Sequence, residues 1–241
     1  MVKKITLSVI IPAYNEEDII KKTLTTIEKY LVSQGYFYEI IVIDDGSKDR
    51  TSDIARSLKI KNLTVITNKE NRGKGYVVRQ GLLRAKGDYR LFIDADGSTS
   101  IRETDKIWSF FEKGCGMVIG SRNIEGAVIV VPQTPLRRLL GKIFNLIARG
   151  FCGLWRFKDT QCGFKCFSQR AVESILSKAT VNGWAFDVEL LAIAKLNGQK
   201  VCEIPVRWNN NLKSKVNFRG MVKMIFEVLK IRINLIKRVY E

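Results

Sequence analysis

Short apolar runs alternate with helical patterns through the first half of the chain. The runs are TLSVIIP (6–12), EIIVIDD (39–45), LTVIT (63–67), YRLFID (89–94) and GMVIG (116–120), and the helical stretches lie at roughly 16–33, 50–59, 74–86 and 102–113. Most runs are apolar at consecutive positions rather than at every second one, the pattern of a strand covered on both faces. Strands of that kind separated by helices predict an α/β protein with a mainly parallel twisted sheet and helices on both faces. Ligands in such sheets sit beyond the carboxyl ends of the strands, so the residues after each run are the first candidates for a site.

Three of those ends are acidic. The first run leads into Pro12-Ala13-Tyr14-Asn15-Glu16-Glu17, the second into Asp44-Asp45-Gly46-Ser47, and the fourth into Asp94-Ala95-Asp96-Gly97-Ser98. Any one could be a turn or a helix cap, for which Asp, Asn and Ser are suited. Three together on neighbouring strands predict an acidic cleft for a divalent cation and hydroxyl-rich groups. The segment NRGKGYVVRQG (71–81) is not a dinucleotide fingerprint, because Val78 stands where the third glycine belongs. With Arg72 and Lys74 at a helix start it still suits phosphate oxygens, or is an ordinary glycine turn.

Charge narrows the partners. The chain carries 41 Lys and Arg against 24 Asp and Glu, a net +17, which predicts attraction to nucleotide phosphates, nucleic acid or an anionic lipid surface. The aromatic-rich motifs of nucleic-acid binders are missing, so nucleic acid is not expected as a partner. With no histidine and five cysteines of irregular spacing, a zinc site is unsupported, and the cysteines are expected as reduced thiols in a cytosolic protein. The start of the chain does not read as a signal peptide, and no apolar run reaches the roughly 18 residues of a membrane span, so membrane contact is expected to be peripheral.

The ordered set SVIIPAYNEE (8–17), IIVIDDGSKDRT (40–51), NRGKGYVVRQGL (71–82), DADG (94–97) and GSR (120–122) resembles the family-2 glycosyltransferases of the GT-A nucleotide-diphospho-sugar transferase fold. DTQCGFKCF (159–167), WAFDVELL (184–191) and EIPVRW followed by Ser214-Lys215 are similar to the polyprenyl-phosphate sugar synthases, and within them to the dolichyl-phosphate glucose branch. Mannose-type members follow Asp-Ala-Asp with Leu-Gln and carry an arginine where this chain has Asn209. Processive polysaccharide synthases have a glutamine ahead of Arg-Trp that this chain lacks.

The resemblance implies an inverting glycosyltransferase that moves a hexose from a nucleotide sugar, UDP-glucose or alternatively GDP-mannose, to dolichyl or polyprenyl phosphate, with a non-lipid acceptor as a further alternative. It implies Mg²⁺ or Mn²⁺ held by Asp94, Asp96 and Ser98, and a nucleotide pocket from Pro12, Ala13, Tyr14, Glu16, Asp44, Asp45, Lys74 and Ala95. Arg122, Arg137, Arg138 and Lys215 are the expected acceptor-phosphate cations, and Asp159 and Asp187 the further candidate catalytic carboxylates beside Asp94, Asp96 and Arg122. An acceptor phosphate is already anionic, so the missing histidine is no obstacle.

Residues 1–215 are expected as the catalytic domain, a nucleotide-sugar half (1–122) followed by an acceptor half (123–215). On a helix, 136–156 gathers Arg138, Lys142, Asn145, Arg149 and Arg156 in one sector against a wide apolar one. The stretch 221–240 leaves Arg232 as the one charge among its apolar residues. Wide apolar faces with basic rims predict helices lying in a membrane interface, 216–241 being the basic amphipathic one, on the cytoplasmic side and with a possible integral-membrane partner.

Overall fold

The computed structural model describes residues 4–210 and 218–241. A seven-stranded sheet runs in the order β3-β2-β1-β4-β7-β5-β8. Its strands are β1 (Leu7–Ala13), β2 (Tyr38–Asp44), β3 (Leu63–Thr67), β4 (Tyr89–Ile93), β5 (Met117–Ser121), β7 (Phe164–Ser168) and β8 (Val201–Pro205). The five expected strands are all present. β7 alone is antiparallel, bonded to β4 on one side and β5 on the other, so the remaining six strands point the same way. An antiparallel strand begins where its parallel neighbours end, and the loop leading into β7 therefore arrives at the carboxyl edge.

Alternate residues of β1 divide between two cores. Leu7, Val9 and Ile11 pack beneath α1 (Ile20–Val32) and α2 (Thr51–Ser57), with Leu24 and Ala55 opposite them. Ile10 faces the second core with α3 (Lys74–Arg84), α6 (Gln169–Leu176) and α7 (Phe186–Leu196). At Gly81 a Cβ would lie 2.4 Å from Ile10 Cγ2, so only glycine lets α3 sit this close to β1. The expected helix at 102–113 is a 3₁₀ turn over Ile101–Lys106 followed by the short α4 (Trp108–Glu112).

The two long amphipathic helices form as expected, α5 at Pro135–Cys152 and α8 at Phe218–Ile236, and pack on each other and on α7. Ala148 and Cys152 of α5 and Met224, Val228 and Ile231 of α8 are buried. Two groups tie α8 to the body. Glu227 accepts the N–H of Ala185 at 2.9 Å, just ahead of α7, and the Tyr240 hydroxyl donates to the buried Glu189 at 2.7 Å. Asn145 and Arg149, two members of the polar sector, bond the carbonyls of Lys158 (2.8 Å) and Trp155 (2.9 Å). That leaves Leu136, Leu139, Ile143 and Leu146 exposed. Large apolar side chains of α8, among them Phe226, Ile233 and Ile236, are exposed as well. Among the described residues no helix is long and apolar enough to cross a membrane. A separate two-stranded ribbon pairs β6 (Val128–Val131) with β9 (Arg207–Asn209).

The structure corrects one sequence reading. Cys115 and Cys202 form a disulfide, with Cα atoms 6.2 Å apart, while Cys152, Cys162 and Cys166 are free and buried. The pairing is hidden in the sequence because 87 residues separate the two, and they meet only because β5 and β8 are adjacent strands. Protein denatured without reductant is therefore expected to take up three equivalents of an alkylating reagent by intact mass, and five after reduction; five without reduction would rule the bond out.

Candidate active site

The loops after β1 and β2 are fastened together residue by residue. Asn15 adopts a left-handed backbone (φ 51°), which asparagine tolerates better than most side chains. Its N–H donates to Ser47 Oγ at 2.8 Å and its Oδ1 accepts the Lys48 N–H at 2.8 Å. Glu16 N–H donates to Thr51 Oγ1 at 2.7 Å and Glu17 N–H to Asp49 Oδ2 at 3.1 Å. Ser47 bonds Asp44 Oδ1 through both its N–H and its hydroxyl. Asp44 is buried, and its second oxygen has no hydrogen-bond partner among the described residues. A buried carboxylate oxygen without a donor is costly, and a ligand N–H or O–H would relieve it.

Asp45 is spent differently. Its two oxygens accept the backbone N–H groups of Arg72 and Gly73 at 2.8 and 2.9 Å, which turns the glycine-bearing loop into α3; burial raises its pKa while these two N–H groups oppose the rise. Lys74, at the start of α3, then reaches Asp94 Oδ1 at 2.6 Å. Burial alone would lower the Lys74 pKa, but Asp94, Asp187 and Asp96 outweigh it and hold the ammonium above its ordinary value.

Asp94 and Asp96 follow β4. Asp94 donates its N–H to the Gly163 carbonyl at 3.2 Å, and a Cβ on Gly163 would fall 1.8 Å from Asp94 Oδ2. Asp96 accepts the Ser98 N–H at 2.9 Å, and burial, with Asp94 adding to it, raises its pKa. Ser98 is itself buried and its carbonyl accepts the Asn209 N–H at 2.8 Å, while Thr99 bridges to Trp208, so β9 holds the segment after the paired aspartates.

Asp159 and Arg122 form a fork-to-fork pair. Arg122 Nε and Nη2 lie 2.7 and 2.9 Å from the two oxygens of Asp159, and the Arg122 N–H adds a third bond at 3.0 Å. Burial would raise the Asp159 pKa, but Arg122 overrides it and holds the carboxyl at about 2. Such a carboxylate is a poor base and a strong anchor: it fixes the guanidinium at the end of β5, beside the Trp208 ring. Asp187, in the first turn of α7, has its Oδ1 2.6 Å from the Lys165 ammonium, with both residues buried. Burial raises the Asp187 pKa, Lys165 and Lys74 oppose the rise, and Asp94 adds to it.

Arg137, in the first turn of α5, completes the group: burial and the Arg122 charge lower its pKa while Asp96 opposes them, so it shares their field. Arg138 is exposed, and Lys215 lies outside the described residues. One edge of the sheet thus gathers Lys74, Asp94, Asp96, Ser98, Arg122, Asp159, Asp187 and Arg137, with Pro12, Ala13, Tyr14, Glu16, Asp44 and Asp45 on the adjoining strand ends. Three supports escaped sequence reasoning. Lys165 is the counter-charge of Asp187, Gly163 leaves room for Asp94, and Glu203 of β8 accepts the Lys158 and Asp159 N–H groups at 3.0 to 3.1 Å. Lys165 and Gly163 stand inside the CGFK run, but nothing in the run says that it is a strand entering this edge backwards.

Asp94 and Asp96 offer hard oxygens with excess negative charge, as a divalent cation requires. Among the described residues no three acidic or cysteine side chains converge to hold a metal alone, so a cation there would draw further oxygens from a ligand.

Comparison with known proteins agrees with this geometry. The family model "Glycosyl transferase family 2" matches residues 8–176, and the chain belongs to that family, a glycosyltransferase of GT-A architecture. A dolichyl-phosphate beta-glucosyltransferase of Trichomonas vaginalis is 36% identical to it over 93% of this chain and 70% of its own. The human dolichyl-phosphate beta-glucosyltransferase is 35% identical over 94% of this chain and 75% of its own. Among solved structures, the UDP complex of glucosyl-3-phosphoglycerate synthase from Mycobacterium tuberculosis superposes with a TM-score of 0.67 over 95% of this chain and 79% of that one; at 18% identity it attests the fold alone.

Two outcomes follow. The folded pKa of Asp159 lies below its unfolded value, so the stability this pair contributes is present above about pH 4 and lost as pH falls toward 2. Arg122→Gln is expected to cost about 3 kcal/mol, since it strands a buried charge. In urea titrations its deficit should be full near pH 7 and shrink as pH falls, starting above the ordinary carboxylate range because burial without Arg122 raises the Asp159 pKa; a deficit independent of pH down to 2 would refute the pair as its source. Gly163→Ala is expected to fold with a lowered melting temperature, because displacing Asp94 weakens its pair with Lys74, and to lose about 100-fold in transfer rate through the displaced carboxylate.

Proposed function

We propose that the protein transfers glucose from UDP-glucose, with inversion, to the phosphate of dolichol or a related polyprenol at the cytoplasmic face of a membrane. One observation carries the reading. α5 opens with Arg137 in the field of Arg122 and Asp96, then runs outward with Leu136, Leu139, Ile143 and Leu146 exposed, so an apolar surface leads directly to the cationic side of a carboxylate site. A lipid phosphate has those two chemistries in that order. The names of the relatives support the acceptor and the sugar.

In the reaction the bond from the anomeric carbon to the diphosphate lengthens and the leaving group takes up negative charge. Asp94 and Asp96, with the Ser98 hydroxyl in reach of the same segment, would hold Mg²⁺ or Mn²⁺, which as a Lewis acid stabilises that charge. Solved structures of the mycobacterial synthase contain UDP with Mn²⁺ or with Mg²⁺. Asp44, with its free buried oxygen, and the Tyr14–Glu17 loop form the pocket for base and ribose. Lys74 serves the diphosphate. Arg122, fixed by Asp159, and Arg137 hold the acceptor phosphate for in-line attack by an oxygen that is already anionic, so no carboxylate has to act as base. Lys165 and Lys74 oppose the rise that burial imposes on the Asp187 pKa, and Asp94 with Asp187 holds the Lys74 ammonium above its ordinary value.

The test is incubation with radiolabelled UDP-glucose or GDP-mannose, dolichyl phosphate in micelles, and Mg²⁺ or Mn²⁺, followed by organic extraction. Label is expected in the lipid fraction from UDP-glucose, abolished by EDTA, and reduced at least about 100-fold in a folded Asp96→Asn protein. Label passing to soluble phosphate acceptors, or to lipid only from GDP-mannose, would replace the reading.

A further inference from the structure

Where α5 and α8 lie side by side, an open groove of about 420 Å³ is lined by Leu146, Ile147, Gly150, Phe151 and Arg232. On α8 the inward positions are Met224, Val228 and Ile231, and the outward ones are Val222, Phe226, Leu229, Ile233 and Ile236. Arg232 stands on the flank between the two, toward α5. Among the described residues no carboxylate pairs with it. The groove thus sets one cation among apolar side chains, beside exposed hydrophobic faces.

It is not part of the catalytic edge. Thirteen residues of α5 separate Arg137 from Gly150, about 20 Å at helical rise, so one phosphate cannot touch both arginines. We propose that this groove binds the phosphate headgroup of an anionic membrane phospholipid, with Arg232 on the phosphate and Leu146, Ile147 and Phe151 against the first part of the acyl chains. An apolar slot with one cation that no carboxylate of the described residues pairs fits an amphiphile with one anionic end, and an arginine fork suits phosphate oxygens. The proposal rests on the membrane reading above and adds to it. A phosphate at Arg137 and a second one in the groove beside Gly150, held by Arg232 of α8, would lie about 20 Å apart along α5, which would lay that helix along the bilayer and set the heading of the site.

The experiment measures binding of the full chain to phosphatidylcholine vesicles with and without 20% phosphatidylglycerol, by sedimentation. Arg232→Gln is compared with Lys230→Gln, which removes the same charge from the opposite flank of α8, and with Gly150→Leu, which fills the groove at unchanged charge; at Gly150 an added Cβ meets only the Trp155 ring at 3.4 Å. Near an anionic surface any one basic residue is worth roughly five-fold in binding. Lys230→Gln is expected to lose that much, Arg232→Gln clearly more, roughly twenty-fold, and Gly150→Leu to lose most of the preference for phosphatidylglycerol. Equal losses in Arg232→Gln and Lys230→Gln, or an unaffected Gly150→Leu, would leave only diffuse charge and overturn the site while the membrane reading stands. Release of the wild type by millimolar inorganic phosphate at constant ionic strength would identify free phosphate as the ligand instead. A wild type that ignores both kinds of vesicle would overturn the site, and the glycolipid assay would then decide separately whether the proposed reaction survives.

Discussion

Buried charge is costly to leave unpaired, and this edge of the sheet solves the problem by alternation. Lys165 faces Asp187, Asp187 lies in the field of Lys74, and Lys74 touches Asp94. Asp159 and Arg122 close a second pair beside it. Asp96 is the member left over, with a pKa raised by burial and by Asp94. The site therefore carries an electrostatic debt at one carboxylate, and that is where a divalent cation has most to gain. Most other charged groups around it serve to hold this arrangement steady.

The same economy explains why several carboxylates that look alike in the sequence do unlike things. Asp45 shapes a loop through backbone N–H groups, Asp159 immobilises an arginine, Asp187 mediates between two lysines, and Asp44 keeps one oxygen open. Residue type does not separate these roles. Partner and burial do.

The parallel strands, the acidic strand ends and both amphipathic helices were legible, because each rests on a local pattern: continuous apolar runs, polar residues at their ends, and a 3.6-residue period. The DAD and GSR segments were legible as a set only through the resemblance of their order to a family. What stayed hidden depends on which strands become neighbours. The reversed course of β7, the place of Lys165 under Asp187, the room that Gly163 leaves and the Cys115–Cys202 bond all follow from pairings between distant segments. The partners of Asn145 and Arg149 were hidden for a related reason: a helical wheel gathers both in one polar sector, but the carbonyls they serve belong to the 155–160 loop, which a wheel does not show.

β7 has a further consequence, for how the chain is made. β4 and β5 do not bond each other, and β7 is the only strand between them. Until residues 164–168 emerge from the ribosome, the sheet exists as β3-β2-β1-β4 with an open edge, and β5 has no partner until β7 or β8 is present. An unpaired edge with buried-type side chains is prone to pair with other chains. Synthesis thus passes through a window, between the completion of β4 and the arrival of β7, in which an apolar half-sheet must stay soluble. A truncation inside that window forfeits the site and the integrity of the sheet together.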